Sequence, residues 1–231
     1  MPVFPVATDY ACRNRLLHSR PVDGSAYLPE LWRAGLRTFR LVFNVLGDPV
    51  ARVLLRAHVR PNHLTVVGLG VSILAACAVA QGRLRVAALL LTAAGLCDFF
   101  DGSLARLTNS VSAFGAFLDS VVDRYSDLVV LLGVVLNYER LADTGGVCLT
   151  LVTLVGTIMV SYTKARAQSI GVACEIGLME RPERLIVLIA GATFNLLTVA
   201  MVVLGVLTNL TALQRILYTR RAVAAREDAL H

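Results

Sequence analysis

The stretch LRVAALLLTAAGLCDFFDGSLARLTNSVSAFGAFLDSVVDRYSDLVVLLGVVLN, residues 84–137, decides the fold. It contains two apolar runs, each near the roughly 20 residues that cross a bilayer, joined by the polar turn Leu107-Thr108-Asn109-Ser110. Acids sit inside both runs: Asp98 and Asp101 in the first, Asp119 and Asp123 in the second. A charge within a membrane span is costly, so such residues are functional candidates by default. Asp98 and Asp101 are three apart and Asp119 and Asp123 four apart, which puts each pair on one helical face. Asp101 lies nine residues before Ser110 and Asp119 nine after it. In an antiparallel hairpin the two sit at one depth, roughly 13 Å from the turn at 1.5 Å per residue. The two pairs can then face each other.

The rest of the chain fits the same reading. At 231 residues, 56% hydrophobic, 16% charged and with a mean hydropathy of +0.68, it is too apolar for an ordinary soluble domain. The pattern predicts an all-α membrane protein with six spans at about 63–81, 84–107, 112–137, 146–168, 184–194 and 196–218. An amphipathic helix lying in the interface precedes them, with Trp32, Leu36, Phe39, Phe43 and Leu46 on one face and Arg33, Arg37 and Arg40 offset. The expected organisation is an N-terminal cytoplasmic arm and interfacial helix (1–47), a six-helix domain (48–219) and a cytoplasmic tail (220–231). No cleavable signal peptide is evident, because the N-terminal segment has arginines but no apolar core.

The net charge of +6 raises nucleic acid as a partner, but the basic residues sit in blocks between apolar runs and nothing resembles a recognition helix. Of 22 Lys and Arg residues, only Arg83, Arg85 and Arg140 fall on the side opposite the termini. By the positive-inside bias the terminal side is cytoplasmic, which makes this a multi-pass protein of the cytoplasmic membrane. Five scattered cysteines give neither a disulfide framework nor a zinc site. Gly68-Leu69-Gly70 has no strand beside it and reads as helix packing.

Four carboxylates at one level repel unless cations hold them. Oxygen donors suit Mg²⁺, with Mn²⁺ as the other choice, and a bridged pair of ions neutralises the cluster most simply. Two such ions can grip a phosphate or pyrophosphate. Gly102, Ala105 and Gly115 leave room for a ligand or for close helix approach, and Arg106 is placed to bind a phosphate. Spacing alone leaves two other readings open, interhelical salt bridges and an ion-conducting path.

Asp98, Asp101, Gly102, Ala105, Arg106, Gly115, Asp119 and Asp123 are spaced as in the signature of the CDP-alcohol phosphotransferases, the class I CDP-alcohol phosphatidyltransferases, which this chain resembles over about residues 50–218. The resemblance implies a six-helix, usually homodimeric membrane enzyme that releases CMP. By position it makes Asp98, Asp101, Asp119 and Asp123 ligands of two Mg²⁺ ions and Asp123 also the general base. It places Gly102, Arg106 and Ser112 on the nucleotide diphosphate of a CDP-lipid, with Asn62 and Thr65 lining the same site. The cytoplasm-facing active site would draw its lipid donor from the membrane.

For the acceptor, the informative segments are Ser161-Tyr162-Thr163-Lys164-Ala165-Arg166-Ala167, Glu180-Arg181-Pro182-Glu183-Arg184-Leu185 and Gln214-Arg215. They put the cations Lys164, Arg166, Arg181, Arg184 and Arg215 at cytoplasmic helix ends. Lys164 is the sole lysine among 21 arginines, a compact ammonium where the chain otherwise uses guanidinium. These segments resemble the branch that makes phosphatidylinositol phosphate in actinobacteria and its archaeal and dialkyl-ether relatives. The resemblance implies that Lys164, Arg184 and Arg215 hold the phosphate of a phosphorylated polyol. An inositol phosphate dianion needs several cations, whereas glycerol or serine does not. Arg124 and Asp127 fit this branch, while Gln168 replaces its usual acid. The expected reaction is transfer from CDP-diacylglycerol to inositol phosphate. Glycerol 3-phosphate as acceptor, or a cation transporter or membrane scaffold, are the alternatives.

Overall fold

The structure, a computed structural model, describes residues 61–107 and 112–228, without the side chains of 61, 62 and 105–107. The arm and interfacial helix expected over 1–47 lie outside the described residues, as do the side chains of Asn62, Ala105 and Arg106. Six helices make up the described part: α1 Pro61–Ala80, α2 Leu84–Leu107, α3 Ala113–Arg140, α4 Thr144–Ser169, α5 Arg181–Thr193 and α6 Leu197–Asp228. Among the described residues there is no strand.

The helix ends follow local chemistry. Gly82 takes a left-handed turn (φ 76°) between α1 and α2, a conformation that glycine adopts without strain. Ser112 caps α3 by accepting from the backbone N–H of Gly115 at 2.9 Å, and Asp143 caps α4 by accepting from Gly146. Pro182 sits in the first turn of α5, where its missing N–H costs nothing. Three helices, α1, α4 and α6, are long and apolar enough to cross a membrane. α2 and α3 are long enough but carry the acids, and α5 has 13 residues, about 20 Å of rise.

Packing departs from the expected hairpin. α2 and α3 both pack along α1 rather than along each other, α4 packs on α6, and α5 sits against α2 and α6. Small residues permit this. A Cβ on Gly133 of α3 would lie 2.4 Å from the carbonyl oxygen of Ala76 on α1, and one on Gly191 of α5 would meet the Ala200 side chain of α6. The buried core combines Ala75, Val79, Leu91, Val134, Leu188 and Met201 from α1, α2, α3, α5 and α6. Leu89, Leu132, Val155 and Val206 point outward and exposed, as lipid-facing side chains do.

α6 runs on past the expected last span, 196–218. The expected tail at 220–231 is helical through Asp228. No Gly or Pro follows Thr219 to stop the helix, and Ala222 and Val223 pack against a small core of Ala167, Val172 and Cys174. Arg226 donates to the Gly171 carbonyl. This overhang holds the loop after α4 in place, and that loop leads into the site.

Candidate active site

Two clusters of charge meet at the start of α5. The first contains the four aspartates. Arg181 reaches both helices at once: its Nη2 lies 2.7 Å from Asp98 Oδ2 on α2 and its Nη1 2.6 Å from Asp123 Oδ1 on α3. The expected meeting of the two acid pairs therefore occurs across a guanidinium from a third helix, not by direct contact of α2 with α3. Asp101 is buried, and Thr65 on α1 donates to its Oδ2 at 2.8 Å. Asp119 lies close enough to act electrostatically on Asp98, Asp101 and Asp123. Gly68 on α1 makes room here, since a Cβ would stand 3.0 Å from Asp98 Oδ1.

These donors fit a hard divalent cation. Carboxylate oxygens are its preferred ligands, and one arginine cannot balance four acids. The cation that does stand between Asp98 and Asp123 is the protein's own, a guanidinium paired with both. Among the described residues no three His, Cys, Asp or Glu side chains close on one point, and Mg²⁺ commonly takes only one or two carboxylates beside substrate phosphate. The expected nucleotide contacts divide. Gly102 and Gly115 are half-buried, and Ser112 spends its hydroxyl on capping α3. Thr65 supports Asp101.

The second cluster is the inverse, with cations around a carboxylate. A cavity of about 160 Å³ takes its charged lining from Asp123, Arg124, Asp127, Lys164, Glu180 and Arg181, together with Arg184 and Arg215. Lys164, Arg184 and Arg215, assigned together from three distant segments, do come together here. Each already has an acid. Arg184 Nη2 donates to Asp127 Oδ2 at 2.6 Å and its Nη1 to the Met179 carbonyl. Glu180 Oε1 accepts from Lys164 Nζ at 3.1 Å and from Arg215 Nη2 at 2.8 Å. Of the five assigned cations, only Arg166 lies outside the cavity, and Arg181 lines it while pairing with the aspartates. Arg166 is exposed and beside Ser169.

Sequence reading missed the roles of Glu180 and Arg181. Both lie in a segment recognisable as cationic, but no periodicity joins either to its partners. Glu180 finds Lys164 16 residues away and Arg215 35 residues away.

Three comparisons bear on this geometry. The sequence profile of the CDP-alcohol phosphatidyltransferase family matches residues 58–214. An archaetidylinositol phosphate synthase of Methanothermobacter thermautotrophicus is 36% identical over 83% of this chain and 97% of its own. A phosphatidylinositol phosphate synthase of Mycobacteroides abscessus is 34% identical over 80% and 89%. Among solved structures, the phosphatidylinositol phosphate synthase of Mycobacterium tuberculosis with CDP-DAG bound has a TM-score of 0.69 at 34% identity. The match covers 75% of this chain and 92% of that one. The same enzyme in complex with manganese and citrate also gives 0.69, covering 75% and 88%. The aspartate spacing, the helix arrangement that brings it together and these relatives agree, and the chain belongs to the CDP-alcohol phosphatidyltransferase family.

Proposed function

We propose that the chain transfers a phosphatidyl-type group from CDP-diacylglycerol to inositol phosphate, giving phosphatidylinositol phosphate and CMP. One observation carries this: Asp123 belongs to both clusters, paired with Arg181 on one side and lining the cation-walled cavity on the other. A base in that position reaches a hydroxyl of an acceptor whose phosphate is held by cations. Synthases of inositol phosphate-containing lipids among the relatives support the acceptor, and the CDP-DAG-bound mycobacterial structure supports the donor.

Asp98, Asp101, Asp119 and Asp123 would hold the divalent metal, as two Mg²⁺ or Mn²⁺ ions; manganese in the mycobacterial neighbour supports the metal class. When bound, the metal supplies positive charge to the diphosphate and to the departing CMP. The chain's residues do the rest. Lys164, Arg184 and Arg215 orient the acceptor by its phosphate, while Gly102, Arg106, Ser112, Asn62 and Thr65 form the donor side. Asp123 takes the proton of the acceptor hydroxyl. That oxygen bonds to the β-phosphorus as the bond to the bridging oxygen breaks, and CMP leaves with the electron pair.

Six spans with this site at the cytoplasmic side, where most arginines lie in the sequence, would let the donor enter from the lipid and the acceptor from water. The unit is a homodimer by family habit, built on a domain of about 48–219. The test is CMP release by the purified full chain given CDP-diacylglycerol, Mg²⁺ and a panel of inositol phosphate, glycerol 3-phosphate, inositol and serine. Turnover with inositol phosphate is expected. Turnover with glycerol 3-phosphate alone would replace the acceptor, and no CMP from any alcohol would refute the reaction.

A further inference from the structure

The cation-lined cavity is filled in part by the protein itself. Arg215 is almost wholly buried, its side chain 2% exposed, and each guanidinium nitrogen has an acceptor. Nε donates to the Ile176 carbonyl at 2.7 Å and Nη1 to the Val160 carbonyl at 2.6 Å. These are backbone groups, fixed by the chain's path. Only Nη2 is met by a side chain, Glu180, and Lys164 shares the same Glu180 oxygen. An incoming anion can therefore reach Arg215 only where Glu180 now stands.

Glu180 is suited to give way. Its side chain is 43% exposed, in contrast to the arginine it pairs with. It occupies the N-cap of α5 but makes no capping hydrogen bond, so the helix does not depend on its carboxylate. The other acid of the cavity wall behaves differently: Asp127 is half as exposed and holds Arg184 at 2.6 Å.

We infer that Glu180 is an internal stand-in for the acceptor's phosphate, released from Lys164 and Arg215 when the acceptor binds. This rests on reading the cavity as the acceptor site. With no acceptor, the carboxylate spares buried Arg215 an unpaired charge, which is costly. A phosphate ester brings up to two charges and three terminal oxygens and replaces one carboxylate oxygen on both cations. An alcohol without phosphate brings nothing that can displace Glu180, and finds the cavity partly filled. Glu180 would then sharpen selection for phosphorylated acceptors by competition, a repulsive element as well as an attractive one.

The test replaces Glu180 with Gln, which keeps shape but removes the charge. Inorganic phosphate is titrated calorimetrically into wild-type and Glu180→Gln protein in detergent with Mn²⁺. In parallel, KM and kcat are measured for inositol phosphate, and the rate with unphosphorylated inositol is compared. Losing a competing anion should tighten phosphate binding about 5-fold to 10-fold. KM for the phosphorylated acceptor should fall by a similar factor, changing more than kcat, and discrimination against inositol should narrow. Glu180→Asp, whose shorter arm keeps the charge, should shift the same way by less, and it serves if the glutamine variant does not fold. Weaker phosphate binding and a raised KM would make Glu180 an orienting residue and overturn the inference, as would no change in either. If wild-type protein turns over no phosphorylated alcohol, the proposed reaction falls, and the phosphate titration alone decides the role of Glu180.

Discussion

The two charge clusters are mirror images built from neighbouring residues. In the aspartate cluster, acids from α2 and α3 surround a guanidinium, Arg181. In the cavity cluster, cations from α4 and α6 surround a carboxylate, Glu180. Each site holds, from the protein itself, the charge its ligand would bring. The difference lies in exposure: Arg181 is 22% exposed while Glu180 is 43% exposed. One short segment at the start of α5 supplies the counter-charge to both sites, and Asp123 is where they touch.

The strongest way to break this picture is at that junction. Asp123→Asn keeps the side chain's size but removes the base, and loss of a general base lowers rate by about 10²–10⁴-fold. CMP release should fall by that amount while calorimetric phosphate binding in the cavity survives. A rate near wild type would place the base elsewhere. Loss of phosphate binding as well would mean that the two clusters fold as one unit.

The aspartate cluster can be sharpened separately through Arg181→Gln. Removing one partner of a mostly buried ion pair leaves charge uncompensated, which destabilises by a few kcal/mol, about 3 at this burial. The variant should unfold at lower temperature than wild type in EDTA. Added Mn²⁺ should recover more of that loss than it adds to wild type, because a ligand that binds only the folded state stabilises by mass action. Equal Mn²⁺ shifts in both proteins would show that Arg181 does not stand where the ion binds.

The two clusters were not equally legible in the sequence. Asp98 and Asp101, then Asp119 and Asp123, advertise themselves because helical spacing is local and because acids are conspicuous in apolar runs. Lys164, Arg184 and Arg215 come from α4, α5 and α6. No spacing rule connects them, and only resemblance assembled them. Arg181 and Glu180 were beyond both routes: their partners are fixed by how α5 lies across α2 and α6, which is tertiary packing. The helices themselves were read closely, α2 to the residue. The hairpin of α2 with α3 was inferred from chain adjacency, whereas Gly133 lets α3 approach α1 closely enough to make that the better partner. α6 ran past its apolar stretch because Ala222 and Val223 find a small core outside the span.

The smallest effect gives the finest probe, because two glycines two residues apart on α1 face different surroundings. A Cβ on Gly68 would stand 3.0 Å from Asp98 Oδ1, while a Cβ on Gly70 would meet nothing within 4 Å. Alanine gains about 0.5–1 kcal/mol over glycine within a helix, and it should do so equally at both positions. A difference between Gly68→Ala and Gly70→Ala then reports chiefly on the Asp98 carboxylate, the tightest contact, with Cys97 Cβ next at 3.4 Å. A contact that tight forces Asp98 to move by a few tenths of an ångström. Misplacement by about 1 Å can cost 10²-fold in rate, so a shift of this size should cost about 3-fold to 5-fold. Gly68→Ala should release CMP more slowly by that factor and need more Mn²⁺ for half-maximal rate, with Gly70→Ala like wild type. If both variants match wild type, Asp98 has room to retreat, and its exact position against Arg181 is not what tunes the site.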